Sequence, residues 1–392
     1  MTRTVAEHLQ IVTEALPTAD SLGTEEITVR AALHRVVVAD VMSPVNLPVF
    51  RNSQMDGYAV RSTDVAAVPA TLPVHGTVAA GDGPRDLPVG AAIKIMTGAP
   101  LPTGADCVVP VEDTTTDGAI VTVQRGRTAG EFVREPGSDV RNGDLLVPAG
   151  RRLGVQHIAA LAAAGVGTVP VRRRLRAAVI TTGAELVPAG TPLGPGQIYD
   201  SNGTSLATAI TASEGEVTAV THSIDDAPTF LATLREAASG ADVVFTSGGV
   251  SMGDFEVVRE ALTPLGGWFA HVAMQPGGPQ GLTVVDGIPV ISFPGNPVST
   301  LVSFEIFARP TLRALAGLAP LQSEPLPLCA DLVSPAGKQQ FLRGHVTQGG
   351  VELVSGPGSH LIAAMARADV LIEVPAEVTA LDAGTSVQVW PL

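Results

Sequence analysis

The sequence predicts a multi-domain protein built around a doubly wound, mainly parallel α/β domain, with a helical segment, a β-rich insert and a small C-terminal β domain. Three observations carry this. From Leu175 onward, β-branched runs alternate with helical runs, the pattern of a parallel sheet crossed by helices. Residues 58–140 and those after Pro320 hold only short β-type runs between Gly and Pro turns. The chain has 392 residues, 45% of them hydrophobic, which is enough apolar material for several cores.

In chain order, Val5, Leu9, Val12 and Leu16 fall on one helical face, so residues 4–16 read as an amphipathic helix stopped by Pro17. A short helix passes into a β-branched strand between Thr28 and Val41, and Pro44, Pro48 and the polar run Arg51 to Asp56 mark a boundary. Strands follow at 72–78, 92–96, 105–111 and 120–124, then a helix at 157–164. In the α/β part, strands are expected at 176–181, 216–222, 242–246, 268–274 and 288–293, with helices at 203–213, 228–239, 254–263 and 298–316. The expected division is 1–50 with 141–174, a β insert at 51–140, the α/β domain at 175–320 and a β domain at 321–392. The sequence shows no internal repeat. The 42 glycines and 31 prolines are scattered singly as turn residues.

A formal net charge of −14 repels phosphodiester backbones and anionic lipid, so neither nucleic acid nor membrane is an expected partner. An anionic small substrate would need local devices: backbone amides, helix ends or a recruited cation. Two cysteines, Cys107 and Cys329, lie far apart and argue against a disulfide framework, a cluster or a zinc finger. The N-terminus has no apolar signal core, and the most apolar stretch, 153–171, is broken by polar and turn residues. The expected compartment is the cytoplasm.

Ligands of a doubly wound sheet bind outside the carboxyl ends of its strands. Three such ends carry suggestive loops: TTGAEL (181–186), TSGGVSMGD (246–254) and FPGNPVS (293–299). Gly248 and Gly249 allow a tight turn whose amides, with Ser247, can face an oxyanion; the competing reading is a plain turn with Asp254 as N-cap. Pro294 and Pro297 make a rigid turn, either structural or anion-facing. Glu185 either faces a pocket or supports a helix start, and Asp225-Asp226 before Ala-Pro reads as an N-cap. The chain's two tyrosines, Tyr58 and Tyr199, sit in polar segments and suit half-wet pockets. Asp56-Gly57 alone is an ordinary hairpin signal, and Thr97 and Asp139 sit in segments that read as turn clusters. No GxSxG elbow, HExxH helix or metal-spaced histidines occur, and with only Lys94 and Lys338 there is no P-loop. Chemistry therefore rests on carboxylates, hydroxyls, amides and a recruited divalent cation.

Taken in order, NSQMDGYAV, MTGAPLPTGADCVVPVE, REPGSDV, ITTGAELV, IYDSNG, TSGGVSMGD and FPGNPVS span essentially the whole chain and resemble the molybdopterin molybdenumtransferase family, bacterial MoeA and the C-terminal domain of gephyrin. The resemblance implies a MogA-like molybdopterin-binding α/β domain, a helical dimerisation domain, the β insert and a C-terminal β-barrel-like domain. It also implies a homodimer with a site between the α/β domain of one subunit and the insert of the other. The implied reaction joins molybdate to adenylylated molybdopterin with Mg²⁺ and releases AMP. Molybdopterin adenylyltransferase and apo-molybdoenzymes are then transient partners. Related alternatives are an adenylyltransferase-like activity, a tungstate-using paralogue and a non-catalytic scaffold.

By the same resemblance, the catalytic positions fall on Asp56, Thr97, Glu185, Asp225 and Glu256, with Glu185 and Asp225 as cation ligands. Substrate-binding positions fall on Asp139, Ser201, Asn202, Ser247, Gly248, Gly249, His271, Gln275, Pro294, Gly295, Asn296 and Pro297. Two departures stand out. Glu256 replaces an aspartate that the family often has, and His271 and Gln275 occupy positions where it tends to place lysines. The anion pocket is expected to be less positive than is usual for the family.

Overall fold

The computed structural model describes residues 2–251 and 256–392, and the chain divides into two compact units, 1–25 with 172–392 and 26–171. The expected N-cap Asp254 lies outside the described residues. Helix α1 (Val5–Ala15) opens with a capping box between Thr4 and Glu7. Its buried Val5 and Val12, with Leu16 and Leu22, join the core of the α/β sheet, so the helix belongs to that unit.

In the unit 26–171, strands β1 (Gly57–Val60), β2 (Ala70–Val78), β3 (Ala92–Ile95), β4 (Cys107–Pro110), β5 (Thr114–Asp117) and β6 (Ile120–Val123) form one sheet in the order β4-β1-β3-β2-β6-β5. All neighbours are antiparallel except β2 and β3. Both faces are covered. Tyr58, Val60 and Val109 enter one cluster while Ala59 and Val108 enter the other, the two-residue alternation of a strand. Gly57 lies inside this sheet, paired with Ile95 and Pro110, which removes the hairpin reading of Asp56-Gly57. Tyr58 is a core residue, its hydroxyl 3.0 Å from that of Thr116. Helix α2 (Val155–Ala163) packs Leu161 into a separate core with Val29, Val37, Val41, Val147 and Val171, joining the segments on either side of the insert.

The central sheet of the other unit contains β7 (Arg176–Thr182), β8 (Glu216–Ser223), β9 (Val243–Ser247), β10 (Trp268–His271), β12 (Pro279–Val285) and β13 (Ile288–Phe293); β11 (Met274–Gln275) lies outside it. Its order is β8-β7-β9-β13-β12-β10. The first four strands are parallel, and β12 and β10 add an antiparallel edge. Alternate residues feed opposite layers. Ala177, Val179, Phe245 and Ile291 meet α1, α3 (Ser201–Ala212) and α6 (Pro297–Ser303), while Ala178, Ile180, Val244 and Val290 meet α4 (Ala227–Ala238) and α5 (Val257–Leu262). The expected strand 268–274 stops at His271 and runs antiparallel, and β12 was not expected. The expected helix 298–316 is α6, a π turn at Phe304–Ala308, and α7 (Arg309–Leu315).

The C-terminal sheet holds β14 (Glu324–Pro327), β15 (Gln339–Thr347), β16 (Gly350–Leu353), β17 (Val370–Val374) and β18 (Ser386–Pro391), and its order is β11-β15-β17-β18-β14 with β16 beside β15. The parallel pairing of β11 with β15 carries the loop after β10 into this sheet. No described helix is long and apolar enough to cross a membrane.

Candidate active site

The carboxyl ends of β7, β9 and β13 open into one cleft of about 900 Å³. The three strands are in parallel register, so their terminal loops meet because the sheet ends there. Close approach requires glycine at Gly248, with φ +98°: a Cβ there would stand 2.7 Å from the Thr182 hydroxyl. Gly183 (φ +139°) is the second case, since a Cβ would meet the Glu185 carboxylate oxygens at 2.7 and 2.8 Å. The Glu185 carboxylate is therefore folded back over its own loop, at the cleft wall.

Three carboxylates line this cleft: Glu185, Asp225 and Glu256. The Asp225-Asp226 pair splits its tasks. Asp226 caps α4, accepting from the Thr229 amide at 2.9 Å, whereas Asp225 turns away and accepts from the Ala184 amide at 3.0 Å. Asp225 thereby ties the end of β8 to the loop that carries Glu185. Glu256 accepts from the Ser251 amide at 2.8 Å. Among the described residues no group of three His, Cys, Asp or Glu side chains is placed to cage a metal ion. Glu185 and Asp225 are carboxylates of the kind that a magnesium ion takes one or two of, the rest of its shell coming from other oxygens.

Beneath the third loop lies a buried polar network. The Asn202 amide donates to Ser247 Oγ at 2.9 Å and to the Gly295 carbonyl at 2.7 Å. The Thr300 hydroxyl donates to the Pro294 carbonyl at 2.6 Å and lies 3.1 Å from Ser247 Oγ. Ser247 and Thr300 are 1% and 0% exposed, so the Ser247 hydroxyl serves the loop from inside. The Gly248 amide is also engaged, donating to the Phe293 carbonyl at 3.1 Å.

Cationic and protonatable groups enter from the opposite wall: His271, Lys338 and His360. Gln275 accepts from Gln340 Nε2 at 2.7 Å, fixing it against the C-terminal sheet. Buried Arg343 donates to Ser355 Oγ at 2.9 Å and to the carbonyls of Gly356 and Gly358, and the Val298 amide donates to the Ser359 carbonyl at 3.1 Å. These bonds hold residues 357–360 at the cleft. Sequence reasoning missed Lys338, Ser359 and His360 as cleft residues. Lys338 had one signal, being one of only two lysines.

Of the expected site residues, Glu185, Asn202, Asp225, Ser247, Gly248, Gly249, Glu256, His271, Gln275 and the Pro294–Pro297 turn share this cleft. Ser201 starts α3 and is exposed outside the lining, and Tyr199 donates its hydroxyl to the Thr191 carbonyl, also outside it. Asp56, Thr97 and Asp139 belong to the unit 26–171. There, Asp56 Oδ1 accepts from the Thr97 amide at 2.7 Å and the Thr97 hydroxyl at 2.9 Å. Those two bonds, with the charge of Lys94, hold the Asp56 carboxyl below the usual aspartate range. The Asp139 amide donates to the Leu47 carbonyl at 2.9 Å.

Comparison with known families and proteins gives a consistent result. Residues 3–165 match the MoeA N-terminal region (domains I and II), 178–314 a probable molybdopterin binding domain, and 325–392 the MoeA C-terminal region (domain IV). The chain is 42% identical over 410 residues to molybdopterin molybdenumtransferase 2 of Mycobacterium tuberculosis, with full coverage of both. It is 37% identical over 387 residues, 95% of each chain, to the molybdopterin molybdenumtransferase of Synechococcus elongatus. Two structures of a molybdopterin biosynthesis MoeA protein from Pyrococcus horikoshii superpose over the whole chain. One gives a TM-score of 0.83 at 33% identity, covering 99% of that chain, and the other 0.74 at 25% identity, covering 100%.

Proposed function

The chain belongs to the MoeA family, and from that premise we propose that it is a molybdopterin molybdenumtransferase, joining molybdate to adenylylated molybdopterin and releasing AMP. One observation carries the reading: three carboxylates, a hydrogen-bonded PGNP turn and a lysine face a single cleft at the carboxyl ends of parallel strands. The substrate's two thiolates supply the sulfur ligands of molybdenum, so this chemistry asks nothing of the two cysteines.

In this reading Glu185 and Asp225 would hold the nucleotide end and a Mg²⁺, which would supply positive charge to the pyrophosphate. Gly249 and the turn from Pro294 to Pro297 face the phosphate and molybdate oxygens, while Ser247 and Gly248, whose hydroxyl and amide are engaged within the fold, shape the loop. Lys338 supplies the fixed positive charge of the opposite wall, with His271, Gln275 and His360 beside it. Asn202 shapes the turn from below, Glu256 holds the Ser251 amide, and Ser201 and Asp139 are assigned to substrate contact. The protein works as a cytoplasmic homodimer, and Asp56 of the partner subunit and the partner's Thr97 complete the site. The domain division stated above belongs to the same proposal, with α1 kept on the α/β unit by its buried face.

The test is AMP release from adenylylated molybdopterin with Mg²⁺ as molybdate is titrated. Wild type is expected to release AMP in a molybdate-dependent way, and Glu185→Gln and Asp225→Asn to lose most of that rate while staying folded. Unchanged rates in both variants would move the reaction away from this cleft.

A further inference from the structure

The PGNP turn sits over the buried Asn202–Ser247–Thr300 network, whose side-chain donors all point at the turn or at one another. The Asn202 amide has two protons, and its two contacts use both, on Ser247 Oγ and the Gly295 carbonyl. The Thr300 hydroxyl has one proton, and the shortest contact, 2.6 Å to the Pro294 carbonyl, takes it. The Ser247 hydroxyl then donates to Thr300 Oγ1 at 3.1 Å or to the Pro294 carbonyl at 3.3 Å. The chain of donors runs inward and ends on two consecutive backbone carbonyls, those of Pro294 and Gly295.

A trans peptide unit points its C=O and N–H in opposite directions. Pinning the carbonyls of Pro294 and Gly295 into the interior therefore turns the amides of Gly295 and Asn296 the other way. Both residues line the cleft, and among the described residues neither amide has an acceptor. Two successive amides aimed into a cleft make a concavity for one anionic oxygen. We propose that Thr300, a fully buried residue outside the cleft, is the positioning residue that locks the Gly295 amide outward, beside the Asn296 amide that Asn202 turns the same way, to receive an oxygen of a tetrahedral oxyanion. This rests on the functional reading above for the identity of the oxyanion, but not for the presence of an anion site.

The arrangement gives this buried threonine on α6, between the core residues Val298 and Val302, a specific task. Its hydroxyl also lies 3.1 Å from the Asn296 carbonyl, so the side chain spans both ends of the turn. A valine has the same shape and lacks the donor, so the Pro294 carbonyl would lose its 2.6 Å bond and keep only the longer 3.3 Å contact from the Ser247 hydroxyl.

The experiment measures binding of molybdate, and separately of inorganic phosphate, to the full chain by calorimetry, for wild type, Thr300→Val and Thr300→Ser. Thr300→Val is expected to bind roughly tenfold more weakly, about the worth of one well-placed bond, and Thr300→Ser to stay close to wild type. Equal binding in wild type and Thr300→Val would overturn the proposal, and so would equal losses in the valine and serine variants, which would point to packing. If wild type binds phosphate and not molybdate, the functional reading falls while the phosphate series still decides the role of Thr300. If wild type binds neither, both fall. Should Thr300→Val fail to fold, a crystal structure of wild type with molybdate decides: an anion oxygen within hydrogen-bond distance of Gly295 N or Asn296 N supports the proposal, and an anion elsewhere in the cleft overturns it.

Discussion

At the scale of single residues, two groups are held in states that define their use. Asp56 is kept ionised by two donors from Thr97 and by the charge of Lys94. Thr97→Val removes one donor, so the Asp56 pKa is expected to rise toward its ordinary value. The acid limb of the pH–rate profile for AMP release should then move to higher pH. His8 is the opposite case. It is fully buried, edge-on to Phe307 at 4.7 Å and 5.2 Å from the Trp268 ring, with no hydrogen-bond partner among the described residues for either ring nitrogen. Burial, reinforced by the charge of Arg3, pushes it down to about 4 from 6.5. The unfolded chain therefore binds the extra proton between those values. Stability is full above about pH 6.5 and falls as pH drops toward 4, by about 3 kcal/mol in total. Urea unfolding at pH 7.5 and 5 should show this slope, and His8→Leu should flatten it.

At the scale of elements, the sheet was legible where its residues are buried on both faces. Residues 176–181 and 288–293 read as strands, and the structure places strands at Arg176–Thr182 and Ile288–Phe293. Strand β12 escaped because Gln280, Gly281 and Thr283 dilute its apolar pattern. Yet its signal was present, since Asp286 and Gly287 (φ 51° and 84°) form a two-residue turn joining β12 to β13. The π turn after α6 has no comparable sequence mark. The core between α1, α3 and the sheet depends on large side chains such as Phe245, which stacks on Phe293 at 5.8 Å and meets Phe304 edge-on at 5.7 Å. Phe245→Ala is expected to cost about 3–5 kcal/mol in denaturant unfolding, since the ring has no solvent exposure and its cavity cannot fully collapse.

At the scale of the whole molecule, a chain of net charge −14 has to attract anionic substrates with local positive groups. The three glycine- and proline-rich loops were readable because strand ends of a doubly wound sheet announce a site. The opposite wall was not, because Lys338 and His360 lie beyond the α/β domain in sequence and reach the cleft only through the β11–β15 pairing and the loop that Arg343 holds. Thr300 was invisible for a related reason: nothing in a sequence shows which carbonyl a buried hydroxyl will meet. Lys338→Ala is expected to weaken molybdate binding about tenfold at low salt, with a smaller loss at high salt and little change in melting temperature.

The most direct measurement of the central claim is stoichiometric. Protein is loaded with adenylylated molybdopterin, Mg²⁺ and molybdate, and the AMP released is compared with the molybdenum that stays with the pterin after gel filtration. One molybdenum retained per AMP released, with both lost together in Glu185→Gln, is the expected result. AMP release that proceeds equally without molybdate, or leaves no molybdenum on the pterin, would contradict the assignment of this cleft to molybdenum transfer.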